Sequence, residues 1–124
     1  MKDNELLLKD LCGRLPYRVV VKDRNGVHVL TPGNTEFVDL FNGKCNIKPY
    51  LFPLSSMTKE QKIQLLKISG IGSFIIRKDN ITFCSNIDLC VLEAIFDFFD
   101  RNHIDYRGLI DKGLAIDATE LNIY

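Results

Sequence analysis

The side chains best suited to metal binding or nucleophilic catalysis are four cysteines and two histidines. Cys84 and Cys90 are separated by five residues, which is not the spacing of a zinc knuckle, and His103 is not followed by a second pair of ligands. A nucleophilic cysteine needs a base beside it, whereas His28 is expected to pair with Asp23 across two strands. We therefore predict that the chain holds no metal and no cysteine nucleophile.

Motifs that bind nucleotides or activate a serine are missing from the sequence as well. Gly70-Ile71-Gly72 has neither the third glycine nor the preceding strand of a dinucleotide-binding fingerprint, and we interpret it as a helix stop and a turn. The sequence has no phosphate-binding glycine loop and no Gly-x-Ser-x-Gly elbow. Asp97 and Asp100 are explained by the polar side of a predicted helix. We predict that the chain is not an enzyme and needs no cofactor.

Length and composition are those of one globular domain spanning residues 1–124, with 46% hydrophobic and 26% charged residues. The net charge is zero, so we expect no general attraction to nucleic acid or to an anionic membrane. No apolar run approaches the roughly 20 residues of a membrane helix, and acidic residues stand where a signal peptide needs basic ones. We expect a cytoplasmic protein without a membrane partner, whose cysteines are reduced and mostly buried.

Two Asn-Gly pairs predict two β-hairpins, because a type I′ turn needs positive φ at both central residues. The first pair, Asn25-Gly26, would place Asp23 opposite His28 at the rim of a core face that carries Tyr17, Val19, Val21 and Leu30. The second pair, Asn42-Gly43, would place Phe41 opposite Lys44. The core face of that second hairpin would carry Val38, Leu40, Cys45 and Ile47.

The opposite face of the second hairpin combines aromatic rings with lysines and carries Phe37, Phe41, Lys44 and Lys48. Single-stranded nucleic acid is often bound by rings that stack on bases, between cations that contact phosphates. If the two hairpins lie side by side, this face is extended by Arg18, Lys22 and Arg24. The alternative is that the rings lie under a helix and the lysines cover its rim with their aliphatic stems.

Hydrophobic periodicity predicts about four helices. The first begins near Asn4, with Asp3 or Asn4 as its cap, and ends at Arg14, before Pro16. The second begins at the capping box Thr58-Lys59-Glu60-Gln61 and ends at Gly70. Between the second and third helices, a short hairpin is predicted over residues 74–77 and 81–84.

The third helix is predicted from Ser85 or Asn86 to about Asn102, and it is apolar around so much of its circumference that it should be the central helix. A shorter fourth helix is predicted from Asp105 to Gly113. The fold class is therefore α+β, in which an antiparallel sheet of short hairpins packs against about four helices. A small bent barrel formed by the first four strands is the main variant.

Four further residues belong to types that are favoured at the hot spots of protein interfaces: Tyr50, Phe52, Tyr106 and Arg107. The alternative is that the proline-flanked segment containing Tyr50 and Phe52 packs across the helices, and that Tyr106 and Arg107 begin a docked helix. We predict an accessory protein that acts by binding another, unknown protein. A single-stranded nucleic-acid-binding module is the second hypothesis, and an enzyme is the third.

Three stretches of the sequence resemble a family of small uncharacterised proteins from gut bacteria and their phages. They are residues 6–17 (LLLKDLCGRLPY), 48–58 (KPYLFPLSSMT) and 105–115 (DYRGLIDKGLA), and together they cover about a quarter of the chain. The family pattern has an arginine where this chain has Phe52. The resemblance implies a prophage or mobile-element origin, and it implies no particular activity.

Overall fold

The computed structural model describes residues 2–70 and 72–124, which form four α-helices and seven strands. The helices are α1 (Asp3–Arg14), α2 (Thr35–Leu40), α3 (Lys59–Ser69) and α4 (Leu89–Arg101). The strands are β1 (Val20–Asp23), β2 (Gly26–Val29), β3 (Lys48–Pro53), β4 (Phe74–Arg77), β5 (Asn80–Phe83), β6 (Ile104–Asp105) and β7 (Ile116–Asp117). The predicted α+β class is confirmed. Ile71, the centre of the predicted Gly-Ile-Gly turn, lies outside the described residues.

Five of the strands form one mixed sheet in the order β2-β1-β3-β6, with β7 also paired to β3. β1 is antiparallel to both β2 and β3, whereas β6 and β7 run parallel to β3. β4 and β5 form a separate antiparallel hairpin. The main sheet is not closed among the strands described, so the predicted barrel variant is wrong.

The first hairpin forms, but its turn lies one residue earlier than predicted. Asp23 lies opposite Gly26, and Val21 lies opposite His28. The Asp23 carboxylate accepts the N–H of Asn25 at 2.8 Å, and Gly26 has a φ of 103°. Aspartate first and glycine last are the preferences of a type I turn, which needs no positive φ at Asn25. Each residue's partner moves by two positions, so Val19, Val21 and Leu30 keep the core face predicted for them. Tyr17, predicted on the same face, lies in a short 3₁₀ helix before β1 and is only half-buried. Asp23 meets His28 diagonally at 2.7 Å.

The prediction of a second hairpin is wrong, because residues 35–40 are helical. Asn34 caps α2 by accepting the N–H of Phe37 at 2.9 Å, and Phe37 and Leu40 are buried three residues apart. The Asn42-Gly43 pair follows this helix instead of forming a hairpin corner. Gly43 has a φ of 85° and donates its N–H to the Leu40 carbonyl at 3.1 Å. The predicted strand face that joined Phe37 and Phe41 to Lys44 and Lys48 therefore does not form.

The capping box at the start of α3 is confirmed. The Thr58 hydroxyl accepts the N–H of Gln61 at 3.1 Å, and the Gln61 side-chain oxygen accepts the N–H of Thr58 at 3.0 Å. The buried stripe of α3 is narrow, because Leu65 is buried but Ile63 and Leu66 are each 47% exposed. One side of α3 is consequently open beside the β4–β5 hairpin.

Helix α4 begins at Leu89, later than predicted, because Asp88 caps it by accepting the N–H of Cys90 at 2.7 Å. The helix was predicted to be apolar around most of its circumference and central in the core, but Leu89 at its start is 67% exposed. The fully buried side chains of α4 are those of Ile95, Phe98 and Phe99. Its middle and end therefore provide the core contact that was predicted for the whole helix.

The fourth predicted helix, residues 105–113, is wrong. Asp105 belongs to β6, and its carboxylate accepts the N–H groups of Leu109 and Ile110 at 3.0 and 2.9 Å. Gly108 has a φ of 73°, which takes the chain out of the helical region. These side-chain bonds satisfy the backbone in a loop, so the segment needs no helix.

Tyr124 joins β1 to β3 where the pairing of these strands stops. The two strands pair over residues 21–22 and 48–49. One position further along, the Tyr124 hydroxyl accepts the N–H of Val20 at 2.9 Å and donates to the Tyr50 carbonyl at 2.7 Å. The hydroxyl thus replaces a direct backbone hydrogen bond. Burial raises the pKa of Tyr124 to about 12, so the phenol stays protonated and able to donate.

The core consists of two apolar clusters. The first cluster lies between α1, α2 and the main sheet and includes Leu7, Leu11, Val21, Leu40 and Leu51. The second cluster lies between α3, α4 and the β4–β5 hairpin and includes Leu54, Leu65, Ile95, Phe98, Phe99 and Ile104. None of the helices in residues 2–70 and 72–124 has the length and apolar content needed to cross a membrane.

All four cysteines are free, and their predicted burial is wrong. Cys12, Cys45, Cys84 and Cys90 are all exposed. Cys90 illustrates the reason, since it lies in the first turn of α4, where the helix has not yet entered the core.

Candidate functional site

The residues predicted to form an aromatic and basic face are dispersed. Phe37 is only 5% exposed, whereas Phe41, whose ring meets it edge-on at 6.0 Å between centroids, is 64% exposed. Lys44 is exposed in the loop after α2, and Lys48 is exposed at the start of β3, opposite Lys22 of β1. Phe37 lies on α2, Phe41 directly follows this helix, and Lys48 lies on a strand, so these residues do not form the predicted stacking surface.

The four residues predicted for protein binding separate into two pairs. Tyr50 is buried and Phe52 is half-buried on β3, where the Phe52 ring lies 5.8 Å from the Tyr124 ring between centroids. Tyr106 and Arg107 lie side by side at the surface, with the guanidinium carbon of Arg107 4.6 Å from the centre of the Tyr106 ring. The first pair has a packing role, and the second pair belongs to a cleft.

This cleft rests on a buried network of charges that begins at Arg14. Arg14 is fully buried at the end of α1, and its Nε and Nη2 donate to the two oxygens of Asp10 at 2.8 and 3.1 Å. Nη2 also donates to the Ile104 carbonyl at 2.7 Å. Burial lowers the pKa of Arg14, but the attraction of Asp10 outweighs burial and raises it. Because Ile104 belongs to the second cluster, Arg14 fastens α1 to that cluster.

Arg107 connects this network to the surface. Its Nη1 donates to Asp10 Oδ1 at 2.9 Å, and its side chain is 21% exposed while that of Asp10 is fully buried. The single negative charge of Asp10 therefore lies between two guanidinium groups and does not fully neutralise the positive charge of either. Among the described residues Asp10 is the only hydrogen-bond acceptor of the Arg107 side chain, so its other N–H groups are free for an anion.

Asp100 is the least compensated member of the network. It is 8% exposed, and its Oδ1 lies 3.9 Å from Arg14 Nε without a hydrogen-bond partner in the described part of the chain. Burial raises the pKa of Asp100 to about 6, although Arg14 favours its charged form. Helix α1 approaches Asp100 closely at Gly13, where an added Cβ would lie 3.0 Å from Asp100 Oδ2 and would make the carboxylate shift. Asp100 is thus expected to titrate near neutral pH.

The cleft above the network has a volume of about 440 Å³ and is bordered by α1, β5, α4 and the segment after β6. It is lined by Leu6, Lys9, Ile81, Phe83, Phe96, Tyr106 and Arg107, and we call it the Arg107 cleft. Most of the lining is apolar or aromatic, and both charged lining residues are cations. Such a cleft suits a ligand that combines an apolar group with a carboxylate.

The aromatic rings of the Arg107 cleft pack against one another. Tyr106 stacks on Phe96 and Phe99, with centroids 5.0 and 5.3 Å apart, and Phe83 meets Phe96 edge-on at 5.6 Å. Burial raises the pKa of Tyr106 to about 12, so its hydroxyl remains neutral. Since the neighbouring rings and Arg107 cover Tyr106, the cleft offers ring edges rather than a free face.

A second cleft, of about 450 Å³, lies between α3 and the β4–β5 hairpin. It is lined by Leu54, Ser55, Met57, Lys62, Leu65, Leu66, Phe74, Ile76 and Lys78. This cleft is also apolar with two cations, but it has one aromatic ring and no arginine. Of the two, the Arg107 cleft has more of the residue types that dominate binding energy in protein interfaces.

A polar cluster at the first hairpin supports the fold. Asp23 Oδ2 accepts from Asn34 Nδ2 at 3.1 Å and lies 2.7 Å from His28 Nε2. The hydrogen bond with Asp23 raises the pKa of His28. Burial alone would raise the pKa of Asp23, but the bonds from Asn34 and His28 lower it. No group of three or more His, Cys, Asp or Glu side chains that could hold a metal occurs in residues 2–70 and 72–124.

Asp10 and Arg14 were not predicted as site residues, although the sequence carries a signal for them. Leu7, Leu11 and Arg14 recur at helical spacing, so Arg14 continues the apolar stripe of α1, and Asp10 lies one turn before it. A charged pair on an apolar stripe indicates a buried ion pair. Asp100 was assigned to a polar helix side, but it is buried by its contact with α1.

No protein-family profile matches the chain, and no curated protein and no solved structure shows significant similarity to it.

Proposed function

We propose that the protein is a binding module of phage or mobile-element origin, and that its Arg107 cleft captures an acidic, apolar segment of a partner protein. The observation that supports this most is the lining of the cleft, which combines aromatic walls with Lys9 and Arg107 and contains no carboxylate. The proposed origin rests on the sequence resemblance. One of the resembling stretches, residues 105–115, contains both Tyr106 and Arg107.

Arg107 is the proposed anchor for the partner's carboxylate. Its guanidinium is held by Asp10 and by the Tyr106 ring, so little side-chain entropy is lost when a ligand binds. The planar fork of an arginine matches a carboxylate with two parallel hydrogen bonds. Lys9 is exposed on α1 at the rim, where a charge mainly accelerates and orients the encounter with an acidic partner.

The ring geometry favours a protein over single-stranded nucleic acid in this cleft. A base needs an uncovered aromatic face, and several such faces must lie along a track of cations. Here Tyr106 stacks on Phe96 and Phe99, and Phe83 and Phe96 meet edge to face. Ring edges with an apolar floor instead suit aliphatic and aromatic side chains of a peptide.

Selection from a random-peptide display library tests this proposal. Peptides enriched on the wild-type protein should carry Asp or Glu beside an aliphatic or aromatic residue. Lys9→Glu should weaken their binding about tenfold, because it places a like charge at the rim. Lys112→Glu is the matched control, since Lys112 is exposed and does not line the cleft. Enriched peptides without acidic residues, or equal binding to Lys9→Glu, would contradict the proposal.

A further inference from the structure

Two lysines lie directly opposite each other in the main sheet. Lys22 of β1 is the register partner of Lys48 of β3, and both are exposed. Directly opposed residues of antiparallel strands project from the same face with Cβ atoms about 4.5–5.5 Å apart, and like charges in this arrangement are destabilising. No carboxylate forms an ion pair with either lysine within residues 2–70 and 72–124. The repulsion is therefore not relieved by a protein group described in the structure.

The two lysines open into a cleft of about 340 Å³, lined by Lys22, Asp23, Arg24, Cys45, Asn46 and Lys48. Asp23 does not neutralise the cleft, because its carboxylate is fully buried and bound to His28. Arg24 is 69% exposed at its side chain, and its Nε lies 3.8 Å from Glu36, which is the one carboxylate in an ion pair with any of these three cations among the described residues. The cleft is therefore a local concentration of positive charge in a chain whose net charge is zero.

We infer that this cleft binds a phosphate group, held between the side chains of Lys22 and Lys48. A phosphate has several acceptor oxygens and at least one negative charge, so each ammonium group gains a hydrogen-bond acceptor. Both ammonium groups are attracted to the anion, and this attraction offsets the repulsion between them. Arg24 adds a third cation, and the Asn46 amide adds a neutral donor at the same cleft. The site shares no lining residue with the Arg107 cleft, so it stands independently of the proposed partner binding.

The phosphate group could belong to a free phosphate compound or to a nucleic-acid backbone, and two probes distinguish these sources. Pyrophosphate represents the free compound, and a twelve-nucleotide oligothymidylate represents the phosphodiester backbone. Each is titrated at low salt, by calorimetry, into the wild-type protein, Lys22→Gln, Lys48→Gln and the control Lys112→Gln. We expect at least one probe to bind the wild type and the control equally, and each cleft variant to weaken that binding by about tenfold or more. The probe that binds more tightly identifies the source.

The melting temperature of the ligand-free protein supplies a second readout, in which a variant that loses phosphate binding is expected to gain stability. Without ligand, Lys48→Gln should melt about 1–5 °C higher than the wild type, because one of two opposed charges is removed. A group that merely stabilised the fold would instead lower the melting temperature when it is replaced. The inference is overturned if neither probe binds the wild type, if both cleft variants bind as the wild type does, or if Lys48→Gln melts at a lower temperature.

Discussion

Asp100→Asn should change how the stability of the protein depends on pH. In the folded protein burial raises the pKa of Asp100 from 3.8 to about 6, with Arg14 acting in the opposite direction. An acid with a raised pKa binds its proton more tightly when folded. Its contribution to stability is complete below pH 3.8 and is lost as the pH rises through about 6. The amide of the variant has nearly the same shape as the carboxyl group but does not titrate.

The magnitude follows from the two pKa values. The difference between about 6 and 3.8 corresponds to about 3 kcal/mol at about 1.36 kcal/mol per pH unit, of which about 2–3 kcal/mol falls between pH 4 and pH 7.5. The quantity to follow is the free energy of unfolding of Asp100→Asn minus that of the wild type. This difference should increase by about 2–3 kcal/mol as the pH rises from 4 to 7.5. Taking this difference removes the contribution of every group that titrates alike in the two proteins.

Urea denaturation of both proteins at about six pH values measures this difference. Asp97→Asn is the matched control, because Asp97 is on the same helix but its side chain is 47% exposed. A difference between Asp100→Asn and the wild type that is constant from pH 4 to pH 7.5 would refute the assigned environment of Asp100. A difference that falls with rising pH would show that Arg14 dominates and that the carboxylate is an ion-pair partner.

Three further predictions concern packing and the strand connections. Phe99→Ala, in the second cluster, should reduce the free energy of unfolding by about 3–5 kcal/mol, while Leu89→Ala, at a 67% exposed position, should change it by less than about 0.5 kcal/mol in the same urea assay. Tyr124→Phe removes the hydroxyl that joins β1 to β3 and should reduce the free energy of unfolding by about 1–3 kcal/mol. An unchanged free energy of unfolding would contradict this role, because water would then replace the hydroxyl. The hydrogen bond with Asp23 raises the pKa of His28, so its contribution is complete below pH 6.5 and is lost as the pH rises through the folded pKa. The stability of the wild type relative to His28→Gln should accordingly fall by at most about 1 kcal/mol between pH 6 and pH 9, and a rise would contradict the pairing.

Local signals predicted α3 with its capping box and the body of α1, but the predicted cap of α1 by Asp3 or Asn4 is wrong, because Lys2 precedes the helix and makes no side-chain cap. The capping box at Thr58 and the apolar repeat of α1 depend on contacts within a few residues, so the sequence contains all the necessary information. The Asn-Gly pairs were ambiguous for a physical reason: positive φ serves both a hairpin corner and a helix end. At Asn42-Gly43 the buried contacts of Phe37 and Leu40, three residues apart, favoured the helix.

The candidate site was only partly predictable. Tyr106 and Arg107 were identified by residue type, but their neighbours Lys9, Phe83 and Phe96 come from three different elements. Those elements meet only when α1 docks on α4, and that docking depends on buried charges rather than on hydrophobic periodicity. The Lys22–Lys48 pair was missed for a similar reason, because the pairing of β1 with β3 spans a connection that contains α2.

The central claim is that an acidic segment binds at Arg107, and the side-chain NMR signal of Arg107 Nε–H tests it most directly. A peptide selected on the wild-type protein is titrated into a nitrogen-15-labelled sample, and the Arg107 and Arg24 side-chain signals are followed together. We expect the Arg107 signal and the backbone amides of residues 6–9 and 81–83 to shift with one saturation curve, while Arg24 stays unchanged. Saturating binding that leaves Arg107 unshifted, or that instead shifts residues lining the cleft between α3 and the β4–β5 hairpin, would contradict it.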